Sequence, residues 1–234
     1  MLPLWGRRCQ PGGVIPILYA DPHVVVLNKP AGLPVHPGPR GGPSVEDWFP
    51  HLSRRRAGPW LAHRLDADTA GCLVVALRRA ALLTVQAAFA AGQVDKVYWA
   101  IVDGAPAGMA GVVDAPLLKV STPAGWRMVV DPAGQAAQTA WRVVGSAGGR
   151  TWLELRPATG RTHQVRVHCS VLGCPVAGDP VYGGGGAGGG GAGAGGGLHL
   201  LARAIALPLD PPITVEAPPP PHMLPGLRAG GWVA

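Results

Sequence analysis

The chain has 234 residues, 47% of them hydrophobic, and a formal net charge of +7 carried by 17 arginines and only three lysines. That is enough apolar material for a substantial core, and planar guanidinium charge suits phosphate contacts and base stacking. Cys9, Cys72, Cys169 and Cys174 lack metal-site or disulfide spacing, Met1 to Gly13 has no apolar signal core, and no run of about 18 apolar residues occurs. Secreted, disulfide-stapled and helix-spanning membrane classes are therefore excluded, and a cytoplasmic location is expected.

In chain order, residues 1–14 read as an N-terminal extension, and Val24 to Leu27 as a strand entering a turn at Lys29-Pro30-Ala31-Gly32. Ser44-Val45-Glu46-Asp47 has a capping-box shape that should open a short helix through Phe49. Arg54-Arg55-Arg56 is a charge run, read as a solvated loop, with a phosphate contact as the alternative. The six apolar residues Cys72 to Leu77 predict a strand buried on both faces. Between Arg78 and Ala91, Ala81, Leu82, Val85, Ala88 and Phe89 fall at helical spacing, with Gly92 placed to end the helix. Val97 to Val102 reads as a strand, residues 103 to 137 show little periodicity, and Gln138 to Val144 and Thr151 to Leu155 alternate and could pair.

Thr162 is expected to cap a helix with Val165, Val167, Val171 and Leu172 on its apolar face, stopped by Gly173 and Pro175. Residues 183–197, twelve glycines and three alanines, read as a flexible loop. Leu198 to Leu207 is a last core segment, Ile213 to Glu216 a short strand, and 218–234 a Pro-rich C-terminal tail. The predicted class is α+β, with a mixed, mainly antiparallel sheet flanked by helices.

Two stretches set ionisable groups between apolar segments: His63-Arg64-Leu65-Asp66-Ala67-Asp68-Thr69-Ala70-Gly71, and Gly160-Arg161-Thr162-His163-Gln164-Val165-Arg166-Val167-His168. Taken alone, the first is as readily a turn capped by Asp66 and Asp68 as a rigidly held carboxylate at the core's edge.

Both stretches resemble the signature motifs of the RluA-like family of RNA pseudouridine synthases, whose first motif reads His-Arg-Leu-Asp followed two residues later by Thr-Ser-Gly. The likeness extends in family order through Val25 to Gly38, Lys96-Val97-Tyr98-Trp99-Ala100 and Gly173 to Gly183, and covers roughly residues 15–217. It implies a catalytic domain alone, acting on uridines of ribosomal or transfer RNA in structured stem-loops. A monomer with no DNA or membrane partner is expected. The isomerisation changes no oxidation state and adds no atoms, so neither metal nor cofactor is expected.

The resemblance assigns Asp66 as the catalytic carboxylate and places Arg161 against it as the compensating cation. Tyr98 becomes the aromatic that stacks on the base, and Arg64 the side chain that fills the space left by a flipped uridine. His63, Thr69, His163 and Gln164 are expected to position loops. Ala70 departs from the usual serine, Leu201 from a frequent histidine and Gln135 from a frequent lysine, which bears on loop order and target choice. Two rivals remain: a metal-dependent hydrolase built on His63, Asp66, His163 and His168, whose spacing is poor for one helix face, and an RNA-binding protein of the same fold without turnover.

Overall fold

The computed structural model describes residues 14–38, 41–55, 57–122, 125–183 and 197–233. The expectations for the N-terminal extension and for most of the 183–197 run fall outside these residues.

A ten-stranded sheet organises the chain. Its strands are β1 (Ile17–Ala20), β2 (Val24–Lys29), β3 (Trp60–Leu61), β4 (Ala70–Ala76), β5 (Asp95–Asp103), β6 (Ala110–Asp114), β9 (Gln138–Ala147), β10 (Arg150–Pro157), β11 (Leu200–Leu207) and β12 (Ile213–Glu216). The order is β1-β2-β4-β11-β5-β10-β9-β6, with β3 on β4 and β12 on β11. Every pairing among the described residues is antiparallel except β4 with β11, where Ala70 and Gly71 face Leu201 and Ala202 in parallel. This is the expected α+β class with a mixed, mainly antiparallel sheet.

β4 is buried along its whole length, as an apolar run in the middle of a sheet should be. Gly71 sits where β4 meets β11. Its φ is +110°, and a Cβ there would lie 2.2 Å from the Ala202 carbonyl oxygen, so only glycine allows the two backbones this approach.

Two helices pack on one side of the sheet. α2 (Arg79–Ala90) buries Leu82, Val85 and Ala88 beside Val24, Val26, Cys72 and Val74, each large side chain contributing roughly 1.5–3 kcal/mol. It ends in a Schellman motif, with Gly92 N–H donating to Phe89 O and Gln93 N–H to Ala88 O. α4 (Leu224–Ala229) completes this layer: Met223 and Leu227 are fully buried, and Gly226 is in close contact with Ile101. The segment read as a Pro-rich tail therefore ends in a docked helix, because Met223 and Leu227 lie one helical turn apart. On the opposite side α3 (Gln164–Val171) packs Val165 and Cys169 against Ala100, Val102, Leu153 and Leu155.

The predicted start at Ser44 is a 3-10 turn, Val45–Trp48, running into α1 (Phe49–Leu52), with the Ser44 N–H donating to the Asp47 carboxylate at 2.8 Å. The stretch without periodicity contains three strands: edge strand β6 and a separate hairpin, β7 (Leu117–Thr122) and β8 (Gly125–Val130). Leu117 and Met128 fasten that hairpin to Val167 on α3.

Candidate active site

A cleft of about 930 Å³ opens between the 62–69 loop, the end of α2, the tip of the hairpin and the start of α3. Asp66 lies in it on the loop between β3 and β4. Lys29 holds that loop from below: its fully buried ammonium donates to the carbonyls of Pro30 (2.8 Å), Leu33 (2.8 Å) and Ala67 (2.7 Å). Burial lowers the Lys29 pKa to about 8 against the opposing pull of Asp68 and Asp66. Thr69 is buried, and its N–H returns to the Asp66 carbonyl at 3.2 Å, closing the turn.

His63 positions the same loop. Its ring stacks on Phe89, and its Nε2 accepts the Val74 N–H at 3.0 Å. That bond requires a neutral acceptor nitrogen, in keeping with burial and the nearby Lys96 charge lowering its pKa to about 4.

The cation at Asp66 is Arg166, and this corrects the expectation for Arg161. Arg166 Nη1 lies 3.6 Å from Asp66 Oδ2, while its Nε and Nη2 make a bidentate pair with Asp179, both at 2.7 Å. Burial opposes the charges of both partners. The Arg166–Asp179 hydrogen bonds, with the N–H groups of Val181 and Tyr182 on Asp179, outweigh it: the guanidinium is held above its usual pKa and the Asp179 carboxyl below. Arg161 lines the cleft wall instead, donating Nε to the Ala136 carbonyl at 3.0 Å.

Thr162 does not cap α3, whose first flanking residue is His163 in the left-handed region at φ 53°. The Gln164 side chain stabilises this entry. Its oxygen accepts from Arg161 N–H (3.0 Å) and the Thr159 hydroxyl (2.7 Å), and its amide donates to Gln138 O (2.9 Å) and Thr139 Oγ1 (3.0 Å).

The left-handed turn carries the His163 ring into the cleft, where Nε2 lies 3.8 Å from Asp66 Oδ2 and the ring stacks on Trp126 from β8. Burial and the Arg166 charge lower the His163 pKa despite Asp66. Tyr182 Oη accepts the Met128 N–H at 3.0 Å and is hydrogen-bonded to His163 Nδ1 at 2.8 Å, which fixes the ring with its Nε2 edge toward Asp66.

The separations from Arg166 and His163 exceed hydrogen-bond length. The Asp66 carboxylate is thus balanced by charge yet accepts no direct hydrogen bond on its side chain among the described residues. Tyr98, on β5, lines the same pocket; burial, with Asp66 nearby, raises its pKa and keeps the phenol neutral. Arg64 is exposed in the lining beside Asp66. His168 is not in the cleft, its ring being buried against Thr139 and the Ala115 carbonyl. Among the described residues no group of His, Cys, Asp and Glu could hold a metal ion, and no helix is long and apolar enough to cross a membrane.

Reading the sequence did not single out Arg166 as the partner of Asp66, or Asp179, Tyr182 and Trp126 as its support. His163 and Arg166 are three apart, which on a helix places them on one face, and this was the available signal.

A sequence model of the RNA pseudouridylate synthase family matches residues 23–171. The chain is 42% identical over 156 residues to an uncharacterised RNA pseudouridine synthase of Zymomonas mobilis, a match covering 66% of this chain and 71% of that one. It is 39% identical over 157 residues to ribosomal large subunit pseudouridine synthase C of Vibrio cholerae, covering 67% of this chain and 49% of that protein. Several such curated relatives are matched over only about half their length. Among solved structures, human RNA pseudouridylate synthase domain containing 4 superposes with a TM-score of 0.76 at 31% identity, covering 91% of this chain and 92% of that one. The fold, the ordered motifs and these matches together establish that the chain belongs to the RluA-like family of RNA pseudouridylate synthases.

Proposed function

We propose that this protein isomerises uridine in structured RNA to pseudouridine, with Asp66 as the catalytic carboxylate. The observation that carries the reading is the state of Asp66: it faces the Arg166 cation and the His163 ring, yet among the described residues it accepts no direct hydrogen bond that would blunt its reactivity toward a ligand in the cleft. The reaction breaks the bond from the sugar C1′ to N1 and forms one from C1′ to C5; C5 loses a proton and N1 gains one, with no net redox change. Asp66 serves as the nucleophilic or proton-abstracting group, and the neutral Tyr98 ring offers its face to the base.

A target uridine in a stem-loop reaches this cleft only by leaving its stack, and exposed Arg64 is suited to fill the gap. Arg161, on the opposite wall, serves the RNA backbone, while His63 and Thr69 hold the loop. One chain supplies all these groups, so the proposed activity needs no second subunit.

The name of the Vibrio relative supports large-subunit ribosomal RNA as the first substrate to test. Incubating protein with unmodified large-subunit RNA and mapping pseudouridines by base-specific chemistry should reveal one or a few new sites. RNA that is bound but unchanged would favour a non-catalytic binder.

A further inference from the structure

The arginines sort by partner. Arg142, Arg150, Arg156, Arg166 and Arg203 each pair with a carboxylate. Apart from the scattered Arg127 and Arg228, the described arginines without one fall into two groups: Arg64 and Arg161 in the cleft, and a second set in and beside a separate hollow. That open hollow of about 410 Å³ is lined by Arg55, Arg78 and Arg79 with Trp60, Leu77 and Ala57, and exposed Arg54 adjoins it.

Arg78 donates Nε to the Pro22 carbonyl at 3.2 Å, which fixes its guanidinium without neutralising it. The nearest acid in sequence to Pro22, Asp21, is occupied by the Tyr19 hydroxyl and the N–H groups of His23 and Val24.

α2 connects the two groups. Arg79, at its start, lines the hollow, and Gln86, Phe89 and Ala90, toward its end, line the cleft. The helix contains no Asp or Glu, and its outward residues include Ala80, Thr84, Gln86 and Ala87, small or neutral side chains that would not repel a polyanion. Its 12 residues span about 18 Å.

We infer that the Arg55–Arg78–Arg79 hollow is a second RNA-backbone site, gripping phosphates about five nucleotides from the uridine held at Asp66, since a stacked strand advances roughly 3.4 Å per phosphate. The site extends the proposed activity and rests on its RNA substrate class. It carries no sequence readout: guanidinium-to-phosphate contacts set affinity and register, leaving choice of uridine to the cleft.

The test is fluorescence anisotropy with two labelled RNAs, a stem-loop of about 30 nucleotides and a single strand of about four, which at roughly 3.4 Å per phosphate is too short to span α2. In Arg55→Ala/Arg78→Ala/Arg79→Ala, Kd for the longer RNA should rise about 10-fold, and the slope of log Kd against log salt should fall by about two, each released phosphate contact contributing roughly 0.7 to 0.9. Kd for the short RNA should stay put, and the corresponding triple lysine variant should recover most of the loss. Unchanged affinity and slope on the longer RNA, or equal losses on both RNAs, would overturn the inference. The readout needs no turnover: a wild type that makes no pseudouridine while showing this length-dependent binding would sink the proposed activity and leave the second site standing.

Discussion

Replacing Arg166 by methionine removes the cation from a bidentate pair whose two side chains are 4% and 0% exposed. Asp179 would then be a buried carboxylate with only the N–H groups of Val181 and Tyr182 to satisfy it. Stranding a buried charge in this way costs about 3–5 kcal/mol, or a fall in Tm of about 6–20 °C for a domain of this size. Asp179→Asn should cost less, about 1–3 kcal/mol, because the amide oxygen can still accept both N–H groups and Arg166 retains Asp66 at 3.6 Å. The double variant Arg166→Met/Asp179→Asn strands no charge and should be more stable than the sum of the single losses by about 2 kcal/mol. Urea denaturation of the four proteins closes the cycle. A loss below about 1 kcal/mol for Arg166→Met would refute the view that the pair is the structural anchor of the cation at Asp66.

Three more outcomes follow from the packing around the loop. His63 is neutral in the fold down to about pH 4 while its unfolded value is near 6.5, so the unfolded chain takes up the proton first; stability is complete above pH 6.5 and falls by on the order of 3 kcal/mol toward pH 4. His63→Gln should flatten that limb of the stability profile, and an identical limb in the variant would count against the assignment. Gly71→Ala puts a Cβ 2.2 Å from the Ala202 oxygen and should cost about 3 kcal/mol or more; a normal melting curve would show that β4 and β11 can separate freely. Lys29→Met leaves three carbonyls without their donor and should cost about 3 kcal/mol, with faster hydrogen exchange across residues 65–69, whereas unaltered exchange there would remove Lys29 as the loop's support.

Several elements were legible because one local pattern decided each. The apolar run of β4, the helical spacing of α2 and the glycines after α2 and α3 carry their structure in a few neighbouring residues. β6 was not legible because only Val113 along it is buried, so there is no alternation to detect. The β7–β8 hairpin escaped for a related reason: its inward contacts are few, chiefly Leu117 and Met128 on Val167. The docked C-terminal helix was masked by prolines, although Met223 and Leu227 carried the helical spacing.

In the site, the motif set Arg161 against Asp66, where the structure brings Arg166 instead. Arg161 and Arg166 flank His163 almost equally in sequence, and what separates them is the left-handed turn at His163, which starts the helix late and brings Arg166 toward Asp66. Asp179, which orients Arg166, lies 13 residues away, beyond the reach of any local pattern.

The central claim is that the Asp66 carboxylate carries out the isomerisation. Its most direct test is tritium release from RNA labelled at C5 of uridine, comparing wild type with Asp66→Asn at equal folded concentration. The amide keeps the shape of the loop and lacks the charge that Arg166 and His163 face. The account predicts release by the wild type and none above background by the variant, with RNA binding retained; sustained release by pure, folded Asp66→Asn would contradict it.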